Sequence, residues 1–276
     1  MKIAVTGSSG RIGRYVVREL SSAGHEVSQL DIRDAPMRVD LTDAGQVYGP
    51  LAGCEAVVHM GAWPNPGHVP DTCTYSDNTA GTFNVFQASA DLGIKRVVAA
   101  SSNQVYGLAG APPLYAPVDE AHPLRPVNCY ALSKMAGEQA ADYFCRNFNI
   151  EILSFRILGT RTPAELPGDI AQIAADPASS GRLLWTRTDA RDVALACRLA
   201  IEADAVEPGP YNIAGPRVML DMPTRELVEQ YFGGRTQMRD GLEDFVSPLS
   251  CEKARRVFGY APHYAWSVLQ QHLEDA

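Results

Sequence analysis

Long apolar runs and an excess of positive charge are both missing from this sequence of 276 residues. The apolar run at the amino terminus is short, and no later run approaches the roughly 20 apolar residues that a membrane span requires. We therefore expect neither a signal peptide nor a membrane-spanning helix. The formal net charge is −8, which argues against a general attraction to nucleic acid or to anionic lipid.

Cysteine pairs at metal-binding or redox spacing are missing as well. The six cysteines contain no Cys-x-x-Cys pair, and the six histidines are scattered without nearby ligand partners. We therefore expect no metal site. Isolated cysteines in a chain without a secretory signal are typical of reduced thiols, so the expected location is the cytoplasm.

The sequence does contain a regular alternation of strand-like and helix-like segments. Short apolar runs predict five strands, at 2–6, 27–30, 56–60, 96–100 and 151–155. Helical patterns lie between them, which indicates a parallel sheet with helices on both faces. The predicted fold class is therefore α/β, a Rossmann-type doubly wound parallel sheet.

The alternation loosens after residue 155, so we divide the chain there. Residues 1–155 are predicted to form an NAD-binding Rossmann domain to which 189–215 returns, and 156–276 a small C-terminal α/β substrate lobe. Beyond the division, a strand is predicted at 210–214, and helices are predicted at 169–175, 189–202, 224–232, 250–258 and 265–272.

A glycine-rich turn follows the first predicted strand. Gly7, Gly10 and Gly13 would permit a tight turn, close approach of a pyrophosphate and close packing of the next helix. The amino terminus of that helix offers N–H groups to phosphates. Asp31 ends the second strand, where a carboxylate can bind ribose hydroxyls and repel a 2′-phosphate. These features predict a dinucleotide site that prefers NAD to NADP, although Arg33 would suit NADP.

A tyrosine and a lysine stand one helical turn apart further along the chain. Tyr130 and Lys134 share one face of a helix predicted at 130–148. Ser102 follows the strand at 96–100, so its hydroxyl would enter the crevice at the carboxyl ends of the parallel strands. A proline-rich loop after the third strand adds candidate substrate contacts, namely Trp63, Asn65 and His68.

Together these motifs resemble the extended short-chain dehydrogenase/reductase family, the group of NAD-dependent sugar epimerases, dehydratases and dehydrogenases. The resemblance covers nearly the whole chain, and the order and spacing of the motifs are more specific than any one motif. It is carried by Thr6-Gly-Ser-Ser-Gly-Arg-Ile-Gly13, Asp31, Asp40-Leu41, His59-Met-Gly-Ala62, Asn78-Thr-Ala-Gly-Thr-Phe-Asn84, Ser101-Ser-Asn-Gln-Val-Tyr-Gly107, residues 126–134, Asp192-Val193 and Tyr211-Asn-Ile-Ala-Gly215.

The resemblance implies roles for the matching residues. Tyr130 would remove the proton of a substrate hydroxyl, Lys134 would tune Tyr130 and bind the nicotinamide ribose, and Ser102 would hold the reacting oxygen. The lysine ammonium and the positive nicotinamide ring would lower the pKa of Tyr130. The implied cofactor contacts are Gly7, Ser9, Gly10, Arg11, Ile12, Gly13, Asp31, Asp40, Leu41, Met60, Gly61, Ala62, Asn78, Tyr130, Lys134 and Leu158.

The segment after the fifth strand is shorter than in family members that act on nucleotide-linked sugars. Only residues 157–189 are available for a nucleotide-diphosphate site, which favours a free sugar or a sugar acid as the substrate. Uronate dehydrogenases of the family are similarly short, although Gln104 stands where they tend to carry histidine. The expected substrate contacts are Trp63, Ser102, Asn103, Gln104 and Arg187, and Arg156, Arg161 and Arg191 are further candidate partners for a carboxylate or phosphate.

Three functions are compatible with these residues. The first is NAD-dependent oxidation of a hydroxyl of a small carbohydrate with release of NADH. The second is a nucleotide-sugar 4-epimerase or dehydratase, in which NAD is reduced and reoxidised within one turnover. The third is a non-catalytic NAD-sensing protein. The resemblance also implies a homodimer formed through the helices that include the Tyr130 helix.

Overall fold

The computed structural model describes residues 1–269 and is built around one parallel seven-stranded sheet. Within those residues the strands are β1 Lys2–Thr6, β2 Glu26–Asp31, β3 Met37–Arg38, β4 Ala56–His59, β5 Arg96–Ser102, β6 Tyr115–Ala116, β7 Glu151–Ile157, β8 Thr160–Arg161, β9 Thr188–Asp189, β10 Gly209–Ile213 and β11 Gln237–Met238. The helices are α1 Gly13–Ser22, α2 Ala44–Leu51, α3 Asp71–Asp91, α4 Cys129–Asn147, α5 Leu166–Ala175, α6 Pro177–Ser180, α7 Ala190–Glu202, α8 Thr224–Tyr231 and α9 Glu252–Phe258. The order in the main sheet is β10-β7-β5-β4-β1-β2-β3.

The central strands of the main sheet bury side chains on both of its faces. Successive side chains of a strand point to opposite sides, so Ile3 and Val5 of β1 pack with α1, α7 and α9, whereas Ala4 packs with α2, α3 and α4. All three side chains are fully buried. Helices therefore cover both faces, which explains why these strands read as nearly continuous apolar runs. The predicted doubly wound α/β fold is confirmed.

A further core lies in the C-terminal part of the chain. It contains Trp185, Leu227 and Phe232, together with residues from the segment 105–118. Two short parallel strand pairs accompany it, β6 with β11 and β8 with β9. By contrast, β10 lies at the edge of the main sheet beside β7, and α7 covers one face of that sheet. The domain boundary at residue 155 stays a prediction.

Most helix predictions agree with the structure to within a few residues. The helix predicted at 130–148 is Cys129–Asn147, and the one predicted at 189–202 is Ala190–Glu202. The four-residue helix α6 was not predicted, because a single turn is too short to show helical periodicity. No helix among residues 1–269 is both long enough and apolar enough to cross a membrane.

The helix predicted at 265–272 is absent from the part of it that the structure describes. Residues 265–269 are not helical, and the remainder lies outside the described residues. The preceding chain is held as an irregular segment, because the Asp192 carboxylate accepts hydrogen bonds from the backbone N–H groups of His263 (2.8 Å) and Tyr264 (3.2 Å). Trp266 is buried here without a helix, so a buried apolar residue in 265–269 does not require one.

Candidate active site

The glycine-rich turn between β1 and α1 leaves no room for a side chain at two of its positions. Gly7 has a φ of +65°, and a Cβ atom there would lie 2.6 Å from the backbone nitrogen of Gly61. A Cβ atom at Gly13 would lie 2.0 Å from the carbonyl oxygen of Gly7. Only glycine permits this packing of α1 against the turn, and the bare backbone that results can approach a phosphate group closely.

The Asp31 carboxylate is fixed beside this turn at the end of β2. Its Oδ2 atom accepts a hydrogen bond from the Ser9 backbone N–H (3.1 Å), and its Oδ1 atom accepts one from the Arg33 backbone N–H (3.2 Å). The Ser9 hydroxyl donates to the Arg33 carbonyl at 2.9 Å, which ties the turn to the segment after β2. A carboxylate held in this way suits the ribose hydroxyls of a dinucleotide.

Ser102, Tyr130 and Lys134 come together on one wall of a crevice. Ser102 ends β5, and the other two residues lie in the first turns of α4. The start of α4 is fixed by Asn128, whose Oδ1 atom accepts a hydrogen bond from the backbone N–H of Ala131 at 2.8 Å. The three side chains are only 5%, 8% and 7% exposed, respectively, so a reaction here would proceed largely shielded from water.

Direct contacts hold the three side chains in place. Lys134 donates from Nζ to the carbonyl oxygen of Ala100 at 2.7 Å, and its Nζ atom lies 5.7 Å from the centre of the Tyr130 ring. The Ser102 hydroxyl oxygen accepts a hydrogen bond from the backbone N–H of Gln104 at 3.2 Å. The hydroxyl hydrogen takes no part in that bond, so it can donate to Tyr130 or to a substrate.

Burial is the largest influence on the pKa values of both Tyr130 and Lys134. Burial raises the pKa of Tyr130 to about 12, and a hydrogen bond with Ser102 acts in the lowering direction. The expected lowering of this pKa depends on the Lys134 ammonium together with the positive nicotinamide ring of bound NAD, and it stays a prediction. Burial also lowers the pKa of Lys134 to about 8. Both side chains thus favour their neutral forms more than they would in water.

The lowered pKa of Lys134 predicts a pH dependence of folding stability. The native pKa is about 8 against an ordinary 10.5, so between these values the unfolded chain binds a proton that the native protein does not. Wild-type stability should therefore rise with pH across this window, relative to Lys134→Met, by about 1.4 kcal/mol per pH unit. Guanidinium unfolding from pH 7 to pH 10 measures it. A pH-independent difference between the two proteins would contradict the predicted burial effect.

The crevice has a volume of about 1260 Å³ and collects nearly all the candidate residues. Of the sixteen implied cofactor contacts, every one except Leu158 lines it. The substrate candidates that line it are Trp63, Asn65, His68, Ser102, Asn103 and Gln104. The bare glycine turn, the fixed Asp31 carboxylate and the Tyr130–Lys134 pair occupy one continuous space, which fits a dinucleotide with its reactive end beside Tyr130.

Two predicted contacts do not line the crevice. Leu158 is fully buried in the C-terminal core, because side chains alternate along the chain at the end of β7, and its neighbours Ile157 and Gly159 line the crevice instead. Arg187 is also absent from the lining. Its guanidinium group is mostly buried and is ion-paired with Asp169.

Arg161 and Arg182, not Arg187, are the arginines of the segment between β7 and α7 that line the crevice. Arg161 was a candidate from the sequence, whereas Arg182 was not. Arg161 donates from Nε to the carboxylate of Asp169 at 3.0 Å, and Arg187 pairs with the same carboxylate. Arg161 also donates from Nη1 to the backbone carbonyl of Thr160, and it still lines the crevice. Arg156, by contrast, is buried in an ion pair with Glu138 (2.7 Å), and Arg191 pairs with Asp189 (2.9 Å). These arginines differ only in their ion-pair partners in the folded protein. The sequence therefore could not show which of them reaches the crevice.

Asn78 links the loop after β4 to α4. Its Oδ1 atom accepts from the backbone N–H of Trp63 (2.8 Å), and its Nδ2 atom donates to the hydroxyl of Ser133 (3.2 Å). The Trp63 indole N–H donates to Asp77 at 2.8 Å, which fixes the ring in the wall of the crevice. Asn78 therefore positions both Trp63 and α4, and it also lines the crevice.

Sequence reasoning missed two features of the crevice. Asn128 both caps α4 and bonds Gln104, and an asparagine directly before a predicted helix was the signal available for the cap. Arg11 and Glu165 form an ion pair of 2.9 Å that joins the glycine-rich turn to the start of α5. Their separation in sequence left no signal for that contact.

The fold and the site together define a dinucleotide-binding α/β protein with a Ser–Tyr–Lys group beside the dinucleotide site. The model of the NAD dependent epimerase/dehydratase family matches residues 3–214, and the chain belongs to that family. This confirms the resemblance found from the motifs, and it confirms NAD as the cofactor.

Individual relatives are sugar dehydrogenases by name. L-arabinose 1-dehydrogenase (NAD(P)(+)) from Haloferax volcanii is 35% identical over 56% of this chain and 66% of its own length. Uronate dehydrogenase from Pseudomonas syringae pv. tomato is 29% identical over 56% of this chain and 58% of its own length. The match thus spans less than two thirds of either relative. A short-chain dehydrogenase/reductase superfamily protein from Agrobacterium tumefaciens with bound NAD superposes with a TM-score of 0.74, at 25% identity, over 96% of this chain and 93% of that one.

Proposed function

We propose that the protein is an NAD-dependent oxidoreductase that oxidises a hydroxyl group of a small carbohydrate, either a free sugar or a sugar acid. One observation carries the proposal. Ser102, Tyr130 and Lys134 stand in the same crevice as the glycine-rich turn and Asp31. An acid–base group and a dinucleotide site in one enclosed space suit hydride chemistry at a carbinol carbon. The names of two sugar dehydrogenase relatives support the choice of substrate class.

Tyr130 is the proposed base of the reaction. As its phenolate, it takes the proton of the substrate hydroxyl while the C–H bond of the same carbon breaks and the C=O bond forms. NAD, when bound, supplies the acceptor for the hydride. Ser102 donates a hydrogen bond to the reacting oxygen and holds it in line with Tyr130, while the Gln104 N–H holds the serine oxygen in place.

Lys134 supplies positive charge beside this base. Its Nζ atom is held by the Ala100 carbonyl, which leaves two of its three N–H donors to face the crevice. An ammonium group at this position favours the phenolate form of Tyr130, although burial alone acts in the opposite direction. Holding the lysine against a backbone carbonyl also fixes its direction toward the tyrosine before substrate arrives.

The small size of the proposed substrate follows from the short segment between β7 and α7. That segment, residues 158–189, contains only β8, α5, α6 and β9, and it supplies Arg161 to the crevice. Arg161 can donate hydrogen bonds to oxygen atoms of the substrate from this side of the crevice. Trp63, in the loop after β4, also lines the crevice and offers an aromatic face for a sugar ring.

A nucleotide-sugar epimerase or dehydratase is the second candidate. A relative named UDP-glucose 4-epimerase, from Lacticaseibacillus casei, supports it, because that protein is 24% identical over 99% of this chain and 98% of its own length. The two candidates differ in product. A dehydrogenase accumulates NADH as the sugar is consumed, whereas an epimerase or dehydratase converts its substrate without net formation of NADH.

Asp31 is proposed to select NAD over NADP. Replacing it with asparagine should reduce the ratio of NADP to NAD dissociation constants by about 10- to 100-fold, because the charge that repels a 2′-phosphate is removed. Fluorescence titration with both dinucleotides measures the ratio. Asp34→Asn is the matched control, since Asp34 also lines the crevice but is not the residue that ends β2. An unchanged ratio in Asp31→Asn would remove Asp31 from this role.

A homodimer formed through α3 and α4 is the proposed assembly. Exposed aromatic residues on the outer surface of these helices include Phe83 and Tyr143, each 44% exposed and each packed against the ring of Phe144. We expect the double substitution Phe83→Asp and Tyr143→Asp to convert a dimer of about twice 29.9 kDa into a monomer. Light scattering after size-exclusion chromatography measures the mass, and Met238→Asp controls for a new charge elsewhere. A monomeric wild-type protein would refute the proposed dimer.

The proposed location is the cytoplasm. All six cysteines are unpaired thiols, which agrees with a reducing compartment. No nucleic acid or membrane partner forms part of the proposed function.

A further inference from the structure

Three side-chain amides form a chain along the wall of the crevice. The Nδ2 atom of Asn128 donates to Oε1 of Gln104 at 3.1 Å, and the Nε2 atom of Gln104 donates to Oδ1 of Asn65 at 3.3 Å. The chain thus joins the loop after β4, the end of β5 and the start of α4. All three residues line the crevice that also contains Ser102 and Tyr130.

The direction of this chain is dictated by the backbone of α4. The N–H of Ala131 can only donate, so it fixes Oδ1 of Asn128 as the acceptor and turns Nδ2 toward Gln104. Gln104 must then present its oxygen to Asn128 and its nitrogen to Asn65. Asn65 in turn uses its oxygen for Gln104, and its amide nitrogen has no hydrogen-bond partner among residues 1–269. Each of the three amide oxygens thus already accepts one hydrogen bond, whereas both N–H groups of Asn65 are left without a partner among residues 1–269.

We propose that this amide chain sets the hydrogen-bond polarity of the substrate end of the crevice, so that it selects an oxygen group that carries no proton. A carboxylate or a phosphate on the sugar fits such a wall, because each accepts hydrogen bonds and gives none at neutral pH. A neutral hydroxymethyl group uses only part of this capacity. The inference rests on the proposed function, since it names the charged group that the carbohydrate carries.

The chain also ties substrate contact to the catalytic helix. Asn128 caps α4 two residues before Tyr130, and the backbone N–H of Gln104 bonds the hydroxyl of Ser102. A ligand that binds Gln104 therefore contacts the residue whose backbone N–H bonds Ser102 and whose side chain accepts a hydrogen bond from Asn128, the cap of α4. Gln104 and Asn128 are positioning residues in this arrangement, and Asn65 is the residue that offers the free donors.

Two substitutions at Asn128 test the polarity while retaining a helix cap. Serine and aspartate are both favourable caps, so α4 keeps its start in either variant. Asn128→Ser lacks the reach to Gln104 and releases the chain without adding charge. Asn128→Asp presents an oxygen to Gln104, which forces Gln104 and then Asn65 to turn their amides and exposes an oxygen of Asn65 to the substrate. Asn149→Asp adds the same charge at an exposed site outside the crevice.

The probes are D-glucuronate, D-glucose-6-phosphate and D-glucose, which differ only in the group on one terminal carbon. Calorimetry on the NADH-loaded protein gives their dissociation constants without turnover, and the two anions separate a carboxylate site from a phosphate site. We expect wild type to bind one anion at least about tenfold more tightly than glucose. Asn128→Ser should reduce that preference about tenfold, Asn128→Asp should reduce it further, and Asn149→Asp should preserve it.

Two results would overturn the inference. One is a wild-type protein that binds glucose as tightly as both anions, and the other is an anion preference that survives in Asn128→Ser. Failure of the proposed function has a different signature. In that case no NADH forms in a separate turnover assay, while the dissociation constants still report whether the preference follows the amide chain.

Discussion

Replacing Tyr130 with phenylalanine is expected to lower kcat for sugar oxidation by about 10²- to 10⁴-fold, the range that a positioned acid–base group contributes. The substitution removes one hydroxyl from a side chain that is 8% exposed and leaves the ring to fill the same space. NAD binding should be retained, because the glycine-rich turn and Asp31 are untouched. Steady-state formation of NADH and a dinucleotide titration measure the two quantities separately.

A second tyrosine provides the control for this substitution. The hydroxyl of Tyr48 donates to Asp91 at 2.6 Å, and Tyr48 does not line the crevice. Tyr48→Phe should therefore retain wild-type turnover. Retention of more than about a tenth of wild-type kcat in Tyr130→Phe would show that another group takes the proton. Equal loss of activity in both variants would indicate a general structural defect.

Replacing Gly13 with alanine is expected to damage both the fold of the glycine-rich turn and the binding of NAD. The new Cβ atom would lie 2.0 Å from the carbonyl oxygen of Gly7, and a backbone atom cannot yield as a flexible side chain does. Overpacking of this kind costs about 1–3 kcal/mol or more, so α1 must shift away from the turn. We expect NAD to bind at least about tenfold more weakly, with a lower Tm.

A glycine in open space separates this effect from the general effect of adding a methyl group. Gly168 lies in α5, and a Cβ atom there would meet nothing within 4 Å. Gly168→Ala should leave NAD affinity unchanged and should raise stability slightly, by at most about 1 kcal/mol, because alanine is the better helix residue. Wild-type NAD affinity in Gly13→Ala would show that the turn does not bind the dinucleotide.

The fold and the dinucleotide site were predictable because their signals are local. Strand β1, the glycine-rich turn and α1 follow one another within the first 22 residues, and each position needs a residue type for a short-range reason. The placement of Tyr130 and Lys134 on one face of α4 is equally local, since it depends only on helical periodicity. Ser102 required one further step, the rule that the carboxyl ends of parallel strands border the ligand crevice.

The part of the crevice proposed to bind the substrate was less predictable, because its geometry depends on contacts between segments that are distant in the sequence. Arg161 and Arg187 look equivalent in the sequence, and only their shared partner Asp169 decides which of them reaches the crevice. The amide chain through Gln104 joins segments that are far apart in the chain. The pKa of Tyr130 also depends on burial, which outweighs the effect of its neighbours and is not visible in a motif.

The formation of NADH in the presence of a single carbohydrate tests the central claim most directly. The wild-type protein is incubated with NAD and one member of a panel of neutral sugars, sugar acids and nucleotide sugars, and NADH absorbance is followed alongside sugar consumption. We expect a free sugar or a sugar acid to yield one NADH for each molecule consumed, and we expect Tyr130→Phe to abolish this signal. Conversion of a nucleotide sugar without accumulation of NADH, and no oxidation of any free sugar or sugar acid, would contradict the proposed reaction.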